Sequence, residues 1–419
     1  MQDASSESLV AETASARPRH AAFAFILVTV LLDMLALGMI VPILPRLVID
    51  FVGGNKALAT DVYGLFGTVW ALMQFLFSPV QGALSDRFGR RPVILASNIG
   101  LGLDYVLMAL APSLMLLFVG RVISGITSAS FSVANAYVAD VTPPEQRAGR
   151  FGMIGAAFGV GFIVGPALGG FLGSEDPRLP FWIAAGFSLL NGLYGLFVLP
   201  ESLPRAKRAP FSWRRANPLG SLKLLRSHHE LFGLAATSFL NSLAHAALPS
   251  VTVLYMTFRY GWNPRLIGLS MTFIGLCALV VQGFLIGCFV GRFGDRAALI
   301  TGLAFGVAGF ACFGLAATGH EFWLAIPLVA LWGLGGAAIA ALMTKRVSAH
   351  EQGQLQGANA SLIGIANMIG PLIFTFMYAR AIESSYGAWL SGTPFLLAAG
   401  FLAIALIIGW RVTRPGRQA

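Results

Sequence analysis

The chain has 419 residues, of which 56% are hydrophobic and only 11% charged, with a formal net charge of +10. Soluble globular proteins carry about 25% charged residues, and 28 basic plus 18 acidic side chains are too few to wet the surface of so long a chain. A set of soluble domains is therefore excluded, and the mean hydropathy of +0.75 indicates an integral membrane protein.

A helix that crosses a bilayer needs about 20 mostly apolar residues. Along the chain this length predicts twelve spans, at 22–45, 62–84, 92–112, 114–138, 150–173, 180–199, 230–256, 265–290, 297–317, 321–344, 354–379 and 389–411. The expected fold is all-α, with 12 transmembrane helices in two six-helix bundles. Residues 1–21 are a polar tail bearing Arg17 and Arg19, and the apolar run behind it is too long for a signal-peptide core. Residues 22–200 make the N-terminal bundle, 201–229 a basic, proline-bearing linker, 230–412 the C-terminal bundle and 413–419 a short tail.

The basic residues orient these spans. Arg46, Lys56, Arg178, Arg259, Arg265 and Arg380 stand in the odd-to-even loops, and Arg121 alone lies within a span. The other 21 of the 28 Lys and Arg occupy the tails, the linker and the even-to-odd loops, among them Arg147, Arg214, Arg215, Lys223, Arg226, Lys345 and Arg417. Positive loops stay in the cytoplasm. Both termini and the linker are expected there, in a bacterial inner membrane. The positive charge is a topology signal, so no nucleic-acid partner is expected. The basic linker would also suit an anionic leaflet.

The two halves share a pattern. RFGRR at 87–91 returns as RFGDR at 292–296, 205 residues later. Gly165-Pro166 returns as Gly370-Pro371, and Gly152 as Gly357, at the same offset. Duplicated bundles are an architecture of secondary transporters, whose substrate site lies near mid-membrane between the halves.

Ionisable residues inside a bilayer are expensive and functional by default. Asp33, Asp104 and Arg121 are the ones that fall deep in the predicted spans. Asp33 lies about 11 residues into the first span, roughly 16 Å from its start at 1.5 Å per residue. It is a candidate carrier of protons at mid-membrane. Asp104 and Arg121 are each about eight residues, roughly 12 Å, from the turn that joins the third and fourth spans. They are expected to meet as a buried ion pair. The C-terminal half has no deep carboxylate. Its polar positions Asn241, His245, Gln282, Asn359 and Asn367, with Gln74 of the second span, are expected to line the cavity. Trp70, Phe75 and Phe158 are candidate contacts for a planar ligand. Cys277, Cys288 and Cys312 read as small buried residues without a disulfide or zinc framework.

Several stretches carry a family resemblance. GALSDRFGRRPVIL (82–95) resembles the signature loop of the major facilitator superfamily, and GRVISGIT (120–127) its fourth-helix arginine motif. GFIVGPALGG (161–170) resembles the fifth-helix motif of the drug:proton antiporter branch. LDYVLMALAP, PFWIAA, LPES, GQLQG and IGPLIFT are similar to the tetracycline-efflux antiporters. The resemblance implies a transport role for Asp104 and Arg121. It implies a cytoplasmic gate of Gly82, Asp86, Arg87, Gly89, Arg90 and Arg91, in which Asp86 clamps the halves through a helix N-terminus of the opposite bundle. It also implies a seal against proton leak at Gly161, Gly165, Pro166, Gly169 and Gly170. The chain departs from that family at two places. Gly306 stands where those antiporters carry an acid, and Ala278 or Cys277 stands near their histidine, although Gln282 matches. On that basis resistance to tetracycline is expected to be weak.

The expected function is secondary active transport, the export of an amphipathic drug-like compound in exchange for protons by alternating access. The proton gradient would be the energy source, with no cofactor or metal. The partners would be a small-molecule substrate, protons and lipid, and the protein a monomer. The competing expectation is a facilitator, or a proton-coupled transporter, of a metabolite. No HExxH, GxSxG or Walker loop stands in a matching context, so an enzyme is not expected.

Overall fold

The computed structural model describes residues 23–128, 131–143, 146–213, 217, 220, 229–348, 351–384 and 390–414. Arg17, Arg19, Arg214, Arg215, Lys223, Arg226 and Arg417, and with them residues 1–21 and most of 413–419, lie outside these.

The first half is built from α1 (Phe23–Phe51), α2 (Lys56–Phe88), α3 (Arg90–Leu110), α4 (Leu114–Val141), α5 (Arg147–Glu175) and α6 (Leu179–Val198). The second half opens with α7 (Leu231–Tyr260), which is followed by the stretch Pro264–Leu315. Its 52 residues would reach about 78 Å as one helix, more than twice the ~30 Å hydrocarbon core. The stretch breaks at Gly294 (φ 79°, ψ 168°), so it forms two spans, α8 (264–293) and α9 (295–315). α10 (Gly319–Thr344), α11 (Gln352–Glu383) and α12 (Thr393–Val412) follow, so the described residues hold eleven apolar helical stretches, or twelve helices once Pro264–Leu315 is divided at Gly294.

Local chemistry sets the ends. Asn55 accepts the Leu58 N–H at 3.1 Å and caps α2. Asn263 accepts the Leu266 N–H at 2.9 Å and caps α8, with Pro264 in the first turn, where a missing N–H is harmless. Gly53 and Gly54, both at positive φ, turn the chain tightly between α1 and α2. Arg46 and Lys56, expected in that loop, therefore lie in the helices. Gly89 (φ 109°, ψ 157°) separates α2 from α3 in a backbone region open essentially to glycine alone. Gly294 does the same 205 residues later. The repeat also appears in helix turns, at 41–43 in α1 and at Ala246 in α7.

The buried apolar residues fall into separate clusters. Two lie within 23–199, and a larger one lies within 231–405, with Val41 and Tyr63 of the first half packed against it. Two helix pairs make the main join between the halves. Along α5 and α8, bare Gly170 meets the Pro264 carbonyl and Gly268 meets that of Pro166. The Thr272 hydroxyl donates to Ile163 O at 2.9 Å on the same seam. Along α2 and α11, Gly64 faces Thr375, Gly67 faces Pro371 and Phe75 packs on Gly364. Small residues let membrane helices approach closely, which here replaces the hydrophobic drive available in water.

The halves are held together at one end. Away from the linker, Arg265 pairs with Glu175 across the halves at 3.1 Å, and the Tyr63 hydroxyl donates to Pro249 O at 3.2 Å. At the linker end, among the described residues, Arg90 pairs with Asp86 and Asp140, Arg208 with Glu201, and Lys345 with Asp295. None of these crosses between the bundles.

The cysteines differ from expectation. Cys288 and Cys312 are exposed and Cys277 is half-buried, all as free thiols. Cys277 packs against the core of the second half, whereas Cys288 and Cys312 lie on exposed parts of α8 and α9.

Candidate transport site

Asp33 is half-buried in the middle of α1, and its Oδ1 is shut off from solvent with no hydrogen-bond partner. Asp104 on α3 is 1% exposed, and neither of its oxygens accepts a hydrogen bond of normal geometry, although the Ser124 hydroxyl of α4 lies close enough to interact with them. α3 and α4 do meet at the expected depth, since a Cβ on Gly120 would stand 3.1 Å from Asp104 Oδ1. The expected ion pair is nevertheless not formed. The carboxylate rests against the bare backbone of Gly120, while Arg121 Nη2 turns away and donates to Met108 Sδ at 3.1 Å. Arg121 stays within electrostatic reach of Asp104, Tyr63 and Tyr105, and Tyr105 is also within reach of Asp33. The three charged groups and two tyrosines thus share one buried region.

A second polar group adjoins it. Asn191 Nδ2 donates to Thr29 Oγ1 at 3.1 Å, tying α6 to α1. Asn98 Nδ2 and Ser188 Oγ are buried without partners. Sequence reading missed these residues. The available signal was the position of Thr29, four residues before Asp33 and so on the same helix face.

On the opposite side, Asn241 and His245 lie on α7. The Trp332 indole N–H donates to Asn241 Oδ1 at 2.7 Å, and the His245 ring lies 5.6 Å from the indole. Trp332 was not singled out from the sequence. Gln282 stands exposed in a short π-helical segment, Val281–Leu285, within α8. Such segments are rare and are frequent at functional sites. Gln74 and Asn367 are half-buried near the α2–α11 seam, and Asn359 accepts from the Ser238 hydroxyl at 2.8 Å. Phe75 is taken up by the seam through Gly364, and Trp70 lends its backbone to packing on Gly125. Phe158 stacks with Phe162 at 6.4 Å.

The glycines of α5 serve two neighbours. Gly161, Gly165 and Gly169, four residues apart, face α1, and a Cβ on Gly165 would come within 2.8 Å of Gly38 Cα. Gly170 and the Pro166 carbonyl face α8. α5 continues as a helix through Pro166.

At the linker end, Asp86 pairs with Arg90 at 2.6 Å. Arg90 also donates to Ser85 Oγ at 2.6 Å, Arg91 donates to Leu196 O at 2.6 Å, and the Arg87 guanidinium lies over the Phe88 ring. The expected clamp between Asp86 and the other bundle is not made, because the halves part at this end. Gly82 has open space around it. The start of the linker docks here instead of running free. Glu201 accepts the Arg90 backbone N–H at 2.8 Å, and the Ala209 N–H donates to Asp86 O at 3.1 Å.

Two related bundles of membrane-length helices, seamed at one end around a shared set of buried charges, define a membrane transporter rather than an enzyme. The sequence profile described as Major Facilitator Superfamily matches residues 26–371 and 235–419, and the chain belongs to that superfamily of secondary transporters. It is similar to the tetracycline resistance protein, class C, of Escherichia coli, with 39% identity over 376 residues, 89% of this chain and 93% of that one. It is 35% identical over 374 residues to the class B protein of Escherichia coli, covering 88% of this chain and 92% of the other. Among solved structures, the human organic anion transporter MFSD10 (TETRAN) is 25% identical with a TM-score of 0.70, over 94% of this chain and 99% of that one. An inward-facing, unoccupied bacterial homolog of the human lysosomal transporter Spinster is 18% identical with a TM-score of 0.75, over 94% and 97%. That second likeness concerns the fold alone.

Proposed function

We propose that this protein exports an amphipathic, drug-like compound in exchange for protons, as a monomer in a bacterial inner membrane with its termini and linker in the cytoplasm. The observation that carries this reading is Asp33, a mid-helix carboxylate with a sealed, unpartnered oxygen, in a protein whose halves part at the linker end. With that end cytoplasmic, the conformation is the one that loads substrate from inside. Rocking the bundles would open the α5–α8 and α2–α11 seams at the far end, expose Asp33 there to protons, and bring Asp86 toward the opposite bundle. Asp104 and Arg121 would respond through the charges they share with Tyr105. The tetracycline resistance of the relatives makes compounds of that type the first to test.

The test is Asp33→Asn in inverted vesicles. Substrate-induced proton release is expected to vanish while membrane insertion stays at the wild-type level, and undiminished release would overturn the proposal. The lack of a deep carboxylate in the C-terminal half favours a second reading, a facilitator of a metabolite. The same vesicles separate the two, since a facilitator moves substrate with no proton counterflow.

A further inference from the structure

Trp332 occupies the turn within α10 and is 6% exposed. Its ring stands edge-on to Phe310 at 5.2 Å and rests on the bare backbone of Gly306, where a Cβ would come within 2.7 Å of the indole Cδ1. Leu402 closes on the same glycine, 2.9 Å from that Cβ position. The indole is therefore held in one place. Its single polar atom can only donate, and it donates to Asn241 Oδ1. This bond fixes the amide. The oxygen is committed to the indole, and the two N–H donors of Asn241 are left without a partner among the described residues.

His245 lies four residues further along α7, on the same face, and is exposed although it stands in the middle of a membrane span. Four residues beyond it, past the turn at Ala246, Pro249 O accepts the Tyr63 hydroxyl of the other half. This face of α7 is thus the one turned toward the N-terminal bundle. The acidic residues of the second half, Glu230, Asp295, Glu321, Glu351 and Glu383, all lie at or near helix ends. This side of the cavity consequently offers amide donors and a flat imidazole, with no carboxylate to attract a cation.

We propose that Asn241 and His245, positioned by Trp332, form a subsite for a planar ligand rich in carbonyl or enol oxygens. The Asn241 N–H groups and one imidazole nitrogen bond to those oxygens, and the imidazole face lies against the ring system. This deepens the drug-export reading above and rests on it.

The test uses purified full-length protein and two planar probes, tetracycline, which carries such oxygens, and ethidium, which has none. Asn241→Asp keeps the oxygen that Trp332 needs and removes both donors. The Kd for tetracycline is expected to rise at least tenfold, while that for cationic ethidium, which meets a new carboxylate, should stay the same or fall. Trp332→Phe keeps the ring and releases the amide, so the Kd should rise several-fold, and N241D/W332F should bind no more weakly than N241D alone. His245→Ala, which removes the imidazole together with its contact on the Trp332 ring, should weaken tetracycline at least threefold. Unchanged tetracycline affinity in both N241D and H245A, with proton-driven export intact, would overturn the subsite and leave the function standing. Wild-type protein that neither binds nor exports tetracycline would overturn the subsite, and absent proton-coupled export of any compound would overturn the parent reading as well.

Discussion

Gly89 and Gly294, 205 residues apart, adopt nearly the same backbone conformation, φ 109° and ψ 157° against φ 79° and ψ 168°. Each divides one long helix from the next. Their surroundings differ. A Cβ on Gly89 would run into Glu201 and Arg208 of the docked linker, whereas nothing lies within 4 Å of one on Gly294.

Alanine at either position pays the backbone strain of a glycine-only region, about 1–3 kcal/mol, and at Gly89 it also displaces the Glu201 carboxylate from Arg90. Gly89→Ala should therefore lower the melting temperature more than Gly294→Ala. Gly82→Ala, in helical backbone with open space, should leave it unchanged. Equal melting temperatures for the two strained variants would show that linker docking adds nothing.

The Arg265–Glu175 pair bridges the halves at the end away from the linker. A cysteine pair at these positions, in a background lacking Cys277, Cys288 and Cys312 and joined by a flexible disulfide-containing bis-maleimide, should stop export, and a reductant should restore it. Export at full rate by the cross-linked protein would show that this end need not open.

Asp104 sits buried with no hydrogen bond of normal geometry to its oxygens, and Arg121 and Ser124, though within reach, offset its charge only in part. An uncompensated buried charge is costly to folding. Asp104→Asn is therefore expected to stabilise the protein by about 1 kcal/mol or more while export is lost, measured as melting temperature beside vesicle transport. A fall in stability would instead reveal a strong pairing with Arg121.

The Thr29–Asn191 bond ties α1 to α6 beside Asp33. Interhelical hydrogen bonds in membranes are worth roughly 0.6–1.7 kcal/mol, so Thr29→Val should cost about 1 kcal/mol. Removing both partners leaves no orphaned donor, and T29V/N191L should be close to wild type in melting temperature. Additive losses would show that the two residues act separately.

The span count, the 205-residue repeat and the small-residue face of α5 were legible in the sequence because each depends on neighbours along one helix. Asp33 was legible for the same reason, since a charge amid apolar residues is conspicuous wherever the helix packs. The ion pair expected between Asp104 and Arg121 followed from depth alone. Depth does not set direction, and Gly120 and Met108 decided where the two side chains turned. The weak tetracycline resistance expected from Gly306 rests on one missing acid and stays an expectation. The structure shows that the space beside Gly306 is filled by Trp332, which presents Asn241 from a different helix.

Composition and hydrophobic length by themselves determined that this chain is all-helical and crosses a membrane many times, because burying apolar surface in lipid is a property of each segment alone. Which end of the bundle is seamed, that Asp86 stays within its own half, that the linker caps α3 through Glu201, and that an indole orients Asn241 were decided by tertiary structure. Those relations depend on distances of a few ångströms between residues tens to hundreds of positions apart, set by how closely bare glycine surfaces let the helices approach.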